Sequence, residues 1–313
     1  MTVDPLAGAG GRALDAALVE REVRRFLDED VGADDLTTRW IVPADARAHA
    51  TIVAHEPCVV AGLSVAAAVF SALDLEVRMR PMVEEGATLA AADVAATLSG
   101  RTGPILTAER VALNLLQRLS GIATLTRRYV DALAGTGVSI SDTRKTTPGL
   151  RVFEKYAVRI GGGRNHRFGL YDAVLIKDNH IAASGGIAKA LDAVQRADVR
   201  VPVQIEVDSL EQLSEALACG VDAVLLDNMP PATIATAVQM IRGYANSARC
   251  WIEASGGITL SNVRRYAEAG VDTISIGALT HSAPSVDIGL DLVPLFTRVL
   301  STQAAPAAHR KST

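Results

Sequence analysis

From Val138 onward one unit recurs six times: a short apolar run ending in a polar residue, then a loop, then a helical segment. The runs are "VSISDTRK", "DAVLIKDN", "VQIEVDS", "DAVLLDN", "CWIEASGG" and "DTISIGAL". Amphipathic stretches such as "SLEQLSEALACG", "PATIATAVQMIRG" and "TLSNVRRYAEAG" alternate with them. Strands alternating with helices of this length form βα units, whose crossovers return each strand in the same direction, so the sheet is parallel. Closed or partly closed, this is a barrel. Six strands fall short of the eight of a full (β/α)8 barrel and leave an open or incomplete one as the alternative. In either form the C-terminal strand ends share one mouth. Asp142, Arg144, Lys145, Lys177, Asp178, Glu206, Asp227, Glu253, Ser255 and Gly277 stand at those ends and are expected to converge.

The first hundred residues read differently. A helical period in "LDAALVEREVRRFLDED" is followed by short strand-like runs, "HATIVAH", "LEVRMRPMV" and the turn-punctuated "PMVEEGATLAAADVAATLSG", which indicates a small α+β domain. Its turn around Gly86 has a likeness to swinging-arm carrier domains, but those need an exposed lysine and residues 1 to 144 contain none. "PILTAERVALNLLQRLSG" predicts a connecting helix from Pro104 to Gly121, with Thr107 as its cap and Arg110 in its first turn. A second helical stretch, "IATLTRRYVDALAG", then leads into the repeated units.

A formal net charge of -4, with both signs scattered along most of the chain, argues against nucleic acid as the main partner and for a small molecule. The three cysteines, Cys58, Cys219 and Cys250, lie far apart among apolar or small residues and read as core thiols. None of the six histidines forms an H-x-x-x-H pair, so no zinc site is expected. The start "MTVDPLAGAGGRALD" lacks the basic and apolar regions of a secretory signal, which makes a reducing cytoplasm the expected compartment. The longest apolar run, from Cys58, is interrupted by Gly62 and Ser64 and stops at Asp74, too short to cross a bilayer.

Against that acidic background, Ser141 to Gly169 sets seven lysines and arginines against two acidic residues. Cations and carboxylates around one rim suit a strongly anionic substrate that carboxylates must also handle, through hydroxyl groups or a divalent metal. A phosphorylated sugar meets both conditions. Glu206 and Asp227 are placed for Mg²⁺ bridged by phosphates, or each could pair with a rim lysine. "EASGGITLSN" sets Ser255, Gly256 and Gly257 between a strand and a helix, where bare backbone N–H groups can hold phosphate, and "SIGALTHS" repeats the arrangement one strand later. Arg110 reads equally as an exposed helix arginine or as a site residue. His166 and Arg167 follow the glycine-rich "GGGRN", which permits close backbone approach to a ligand.

Together these motifs resemble the quinolinate phosphoribosyltransferase family, also called the carboxylating nicotinate-nucleotide pyrophosphorylases. The matching segments are "LTAERVALNLLQRLSGIAT", "DTRKTTPGLRVFEKYAVRIGGGRNHRFGLYDAVLIKDNHI", "IEVDSLEQLSEAL", "VLLDNM", "EASGGI" and "SIGALTHSAPSVDIGLD". They follow the family's order over nearly all of residues 104 to 292, with weaker likeness from about residue 12. The resemblance implies an α/β protein of the type II phosphoribosyltransferase fold, an N-terminal α/β sandwich domain plus an incomplete open α/β barrel. Its implied divisions are a flexible tail at 1–11, the sandwich domain with its connecting helix at 12–120, the catalytic barrel at 121–284, a C-terminal helix at 285–300 packing back toward the first domain, and a disordered tail at 301–313.

The implied reaction transfers phosphoribosyl from phosphoribosyl pyrophosphate to quinolinate with decarboxylation. The implied quinolinate contacts are Thr143, Arg144, Lys145, His166, Arg167 and Lys177, with Arg110 entering from the partner subunit of a homodimer, which in some assemblies is part of a hexamer. The phosphoribosyl pyrophosphate contacts are Lys145, Glu206, Asp227, Ser255, Gly256, Gly257, Gly277, Ala278 and Leu279; Lys145, Glu206 and Asp227 carry the catalytic role, and Mg²⁺ arrives with the pyrophosphate substrate, assisted by Glu206 and Asp227. The basic stretch then reads as two walls of one anion pocket, Arg144 with Lys145 and His166 with Arg167, completed by Lys177. Arg151, Lys155 and Arg159 are expected as solvated or interface charges on the helix between the walls. A related protein encoded beside some molybdenum transport genes shares the fold and part of "DTRKT", but Lys177 in "LIKDNH" favours the quinolinate enzyme. The rival from another class is a non-catalytic phosphate-binding barrel.

Overall fold

The structure, a computed structural model, describes residues 14–197, 199–244 and 250–295. The expected tails at 1–11 and 301–313 lie outside the described residues.

The N-terminal domain begins with α1 (Ala16–Val31), whose Asp15 cap accepts a hydrogen bond from the Leu18 N–H at 2.8 Å. Next come α2 (Leu36–Ile41), β1 (Arg47–Ala54), β2 (Cys58–Val59), α3 (Leu63–Leu73), β3 (Arg78–Pro81), β4 (Thr88–Leu89), β5 (Val94–Arg101) and α4 (Thr102–Ala132). On β1, Ala48, Ala50, Ile52 and Ala54 face inward while the alternate residues do not, so one face of the sheet packs under helices and the other is left to solvent.

The barrel follows: β6 (Ser139–Ser141), α5 (Arg151–Ile160), β7 (Val174–Ile176), α6 (Asp178–Ser184), α7 (Ile187–Arg196), β8 (Val203–Val207), α8 (Leu210–Ala218), β9 (Ala223–Asp227), α9 (Pro231–Gly243), β10 (Trp251–Ser255), α10 (Val263–Glu268), β11 (Thr273–Ser275) and α11 (Ala278–His281). All six predicted strands are present in one parallel sheet of order β6-β11-β10-β9-β8-β7. The two end strands, β6 and β7, do not pair, so the barrel is open. At the β6 edge the segment after α5 adds a single bridge instead: the Arg164 N–H donates to Ile140 O at 2.7 Å, and the Asp142 N–H to Arg164 O at 3.2 Å. This delivers His166 and Arg167 into the opening.

Two expectations about the joins are corrected. The connecting helix does not end at Gly121, and Thr107 does not cap it. α4 runs unbroken through both predicted stretches and spans the expected division at residue 120. Glycine in a helix interior costs roughly 1 kcal/mol relative to alanine, and packing explains it here. A Cβ at Gly121 would stand 2.0 Å from the Pro284 carbonyl oxygen, where the C-terminal segment crosses α4. Thr107, within the helix, donates to Asp35 Oδ2 at 2.9 Å and ties α2 to α4.

The second correction concerns the helix expected over 285–300. Ile288–Leu295 is a strand, β12, antiparallel to β1 in a sheet of order β12-β1-β5-β3. "IGLDLVPL" carries Pro294, which a helix interior rejects and an edge strand tolerates. The chain does return to the first domain, as a sheet edge; residues 296–300 lie outside the described residues.

Candidate active site

The C-terminal ends of the barrel strands surround a cavity of about 660 Å³. The segment after β6 supplies Thr143, Arg144 and Lys145, the bridging loop His166 and Arg167, and the end of β7 Lys177. The rest of the lining includes Glu206 on β8, Asp227 on β9, Ser255, Gly256 and Gly257 after β10, and Gly277 and Ala278 after β11.

Four expected residues do not line it, Asp142 and Asp178 among them. Leu279 is not among the residues that line the cavity: its side chain is fully buried in the core, and its N–H lies 3.4 Å from Ile276 O. Arg110 is exposed on α4 and does not line the cavity of its own chain.

The cationic wall is held short of hydrogen bonds. Arg167 is buried and donates from Nη1 to Ala173 O at 3.0 Å, but its Nε and that of Arg144 are buried without a partner among the described residues. Burial, and then the neighbouring Arg144 guanidinium, pull the Arg167 guanidinium below its usual pKa. Desolvated cations with spare donors are what a multiply charged carboxylate would satisfy, because unpaired buried donors are costly until met. Lys177 Nζ donates to Glu206 Oε2, so these two neutralise each other at the ends of the neighbouring strands β7 and β8. The Lys177 N–H also donates to His180 Nδ1 at 2.9 Å, which fixes the backbone that presents the lysine.

Beneath the wall lies a frame that sequence reasoning misplaced. Asp142 does not reach the mouth and Lys155 is not solvated. They form a buried ion pair, with Lys155 1% and Asp142 0% exposed. Asp142 also accepts from Asn165 Nδ2 at 2.5 Å and the His166 N–H at 3.0 Å, while Lys155 Nζ donates to His166 O at 3.1 Å. Burial pushes the Asp142 carboxyl up and the Lys155 ammonium down, each against its own charge, and their mutual attraction offsets only part of this. Arg159, also expected as a solvated or interface charge, donates to Asn165 Oδ1 and extends the frame. Arg151 donates from Nε to Thr146 Oγ1 at 2.8 Å and from Nη2 to Arg144 O at 3.4 Å, bracing the segment that carries Arg144.

On the carboxylate side, Asn228 has φ +54°, unusual for a residue with a side chain, and donates from Nδ2 to Asp227 Oδ2 at 2.6 Å. A Cβ on Gly256 would stand 2.1 Å from Asn228 Oδ1, and Gly256 itself has φ +91°. Asn228 and Gly256 are therefore a matched pair. Sequence reasoning did not single out Asn228, Thr259, Ser275 or His281, all of which line the cavity. The asparagine directly after a strand-end aspartate was the available signal for the first.

Among the described residues no group of three or more potential protein ligands could hold a metal, and no helix is long and apolar enough to cross a membrane.

Family models place this geometry. Quinolinate phosphoribosyl transferase, C-terminal domain, matches residues 122–291, and the N-terminal domain of the same family matches residues 35–120. The chain belongs to the quinolinate phosphoribosyltransferase family. It is 47% identical over 275 residues to the nicotinate-nucleotide pyrophosphorylase [carboxylating] of Mycobacterium leprae, covering 86% of this chain and 95% of that one. It is 37% identical over 290 residues to quinolinate phosphoribosyltransferase [decarboxylating] 1b of Nicotiana tabacum, covering 86% of this chain and 81% of the relative. The crystal structure of NadC from Streptococcus pyogenes superposes with a TM-score of 0.85 at 42% identity, covering 91% of this chain and 99% of that one. The sandwich domain and open barrel have their counterparts over nearly the full length of the solved relative.

Proposed function

We infer that the chain is a decarboxylating quinolinate phosphoribosyltransferase, which converts quinolinate and phosphoribosyl pyrophosphate to nicotinate mononucleotide, pyrophosphate and CO2 in de novo NAD biosynthesis. The observation that carries this is the lining of one cavity, which gathers Arg144, Lys145, His166, Arg167 and Lys177 with two strand-end carboxylates and two glycine-bearing loops.

Arg144, Arg167, His166 and Lys177, with Thr143, hold the two carboxylates of quinolinate, the spare guanidinium donors making charge-assisted bonds. Lys145 reaches between quinolinate and pyrophosphate. Glu206 and Asp227 take the ribose hydroxyls, and Ser255, Gly256, Gly257, Gly277 and Ala278 cradle the 5-phosphate with backbone N–H groups. Two carboxylates in a cavity without a protein metal cage suit Mg²⁺ that arrives with phosphate ligands. When bound, Mg²⁺ supplies charge neutralisation of the leaving pyrophosphate.

The ring nitrogen of quinolinate attacks the anomeric carbon as pyrophosphate departs, through an oxocarbenium-like transition state. The chain's part is positioning and charge stabilisation, with no protein nucleophile required. Quaternised nitrogen then lets the adjacent carboxylate leave as CO2, its bonding electrons remaining on the ring carbon until a proton replaces it.

Arg110 acts in the partner subunit of a homodimer. That reading is favoured by its exposure and by the apolar surface on α2, held beside α4 by the Thr107–Asp35 bond: Leu36, Trp40 and Ile41 are all largely exposed. Leu170 and Tyr171, which follow the cavity-lining Arg167 in the chain, are also largely exposed and suited to receive it. Three free thiols are in keeping with a reducing cytoplasm. Incubation with quinolinate, phosphoribosyl pyrophosphate and Mg²⁺ tests the reaction: release of both CO2 and pyrophosphate is expected, and a protein that binds both substrates yet releases neither would be a non-catalytic barrel.

A further inference from the structure

Behind the cationic wall, one carboxylate has no part in the reaction as described. Glu253, on β10, is 0% exposed at the floor of the cavity. Its Oε2 lies 3.4 Å from His166 Nε2 and accepts from Gln204 Nε2, on β8, at 2.9 Å. His166 is also gripped at its backbone, its N–H by Asp142 and its carbonyl by Lys155. We propose that Glu253, held by Gln204, is a positioning residue that orients the His166 ring and keeps it an imidazolium for carboxylate binding.

The charges around the ring show why such a partner is needed. Arg144, Lys145, Arg167 and Lys177 share the cavity with His166, and Lys155 lies behind it on α5. These cations, together with burial, oppose a further positive charge. The anions that answer them at the ring are Glu253 from β10 and, more weakly, Asp142 from the end of β6; Gln204 is neutral. Burial alone would lower the His166 pKa, and the facing Glu253 carboxylate more than reverses that, leaving it above the usual histidine value. Glu253 is correspondingly held low: burial would raise it, and His166 together with Ser275 and Gln204 outweighs the burial. Nε2 sits buried 3.4 Å from Glu253 Oε2 with no hydrogen bond formed, so the pair is held by charge, and Nδ1 makes no hydrogen bond among the described residues and is left for a ligand.

This inference rests on His166 contacting quinolinate, and its test separates the two. Titrate the His166 ring by NMR in the full chain, assigned by the resonance lost in His166→Gln, and measure quinolinate affinity by calorimetry without the second substrate. In the unaltered protein His166 should titrate above about 6.5. Glu253→Gln, which can keep the Gln204 bond, should bring it below that value. Quinolinate affinity near neutral pH should fall about tenfold to a hundredfold, as expected for loss of a charge-assisted bond, and recover as the pH is lowered. The loss should appear in KM for quinolinate and not in KM for phosphoribosyl pyrophosphate. A folded Glu253→Gln protein with unchanged His166 titration and quinolinate affinity overturns the proposal. If that variant does not fold, His166 titrating at or below the ordinary value in the unaltered protein overturns it alone. If no quinolinate binds at all, the functional reading fails while the titration still judges the Glu253–His166 pair.

Discussion

Lys155→Met is the perturbation that asks most of the buried frame. Lys155 and Asp142 are both out of water, so removing the ammonium leaves a carboxylate with only the Asn165 amide and the His166 N–H to answer it. Breaking a buried pair by deleting one partner typically costs about 3–5 kcal/mol. With a urea slope of about 2–3 kcal/mol per molar, the unfolding midpoint should drop by about 1–2 M near pH 7, read by circular dichroism. The pH dependence follows from the same cause. Without Lys155 the folded-state pKa of Asp142 rises further above its unfolded value, so the penalty is absent below the unfolded carboxylate pKa of about 4 and accrues as pH rises. The gap to the unaltered protein should therefore narrow as pH falls from about 7 to about 5. Lys155→Met with Asp142→Asn removes the stranded charge while keeping an acceptor for the His166 N–H, and should recover much of the loss. A single variant that costs under about 1 kcal/mol, or a double variant no better than the single, would refute the view that Asp142 and Lys155 are a compensated buried pair.

Three further outcomes are expected. Arg144→Ala should raise KM for quinolinate about tenfold to a hundredfold through loss of charge-assisted bonds, and calorimetric affinity left unchanged would remove Arg144 from the carboxylate site. Gly256→Ala places a Cβ against Asn228 Oδ1 on a backbone at φ +91°, and the left-handed strain alone costs roughly 1–2 kcal/mol; steady-state kinetics should show the damage in KM for phosphoribosyl pyrophosphate ahead of KM for quinolinate. Mixed dimers of Arg110→Ala and Lys145→Ala subunits should recover part of the activity that each variant lacks alone, and no recovery would argue that Arg110 serves no neighbouring site.

The repeated units made the barrel readable, because a strand covered on both faces writes itself as an apolar run and its polar end marks the mouth. Hence Lys177, Glu206, Asp227 and Ser255 could be placed at strand ends before any coordinates. What was missed depends on contacts between distant segments. Lys155 looks like any helix lysine in "FEKYAV", and its partner thirteen residues upstream becomes visible only when the loop after α5 folds back on β6. Gly121 reads as a break because its real purpose, admitting the Pro284 carbonyl, lies 163 residues along the chain. Leu279 came in only with the family resemblance, and its side chain is buried in the core. Pro294 was a legible objection to the expected last helix, and its edge-strand meaning needed the pairing with β1.

The central claim is that one cavity joins a dicarboxylate to a phosphoribosyl group and expels one carboxylate in the same turnover. Quinolinate labelled in the carboxylate next to the ring nitrogen tests it most directly, with CO2, pyrophosphate and nicotinate mononucleotide measured together and nicotinate run in parallel. Labelled CO2 should appear in equal amount to pyrophosphate and nicotinate mononucleotide, with nicotinate a poor substitute. Pyrophosphate release without labelled CO2, or equal use of nicotinate, would contradict the account.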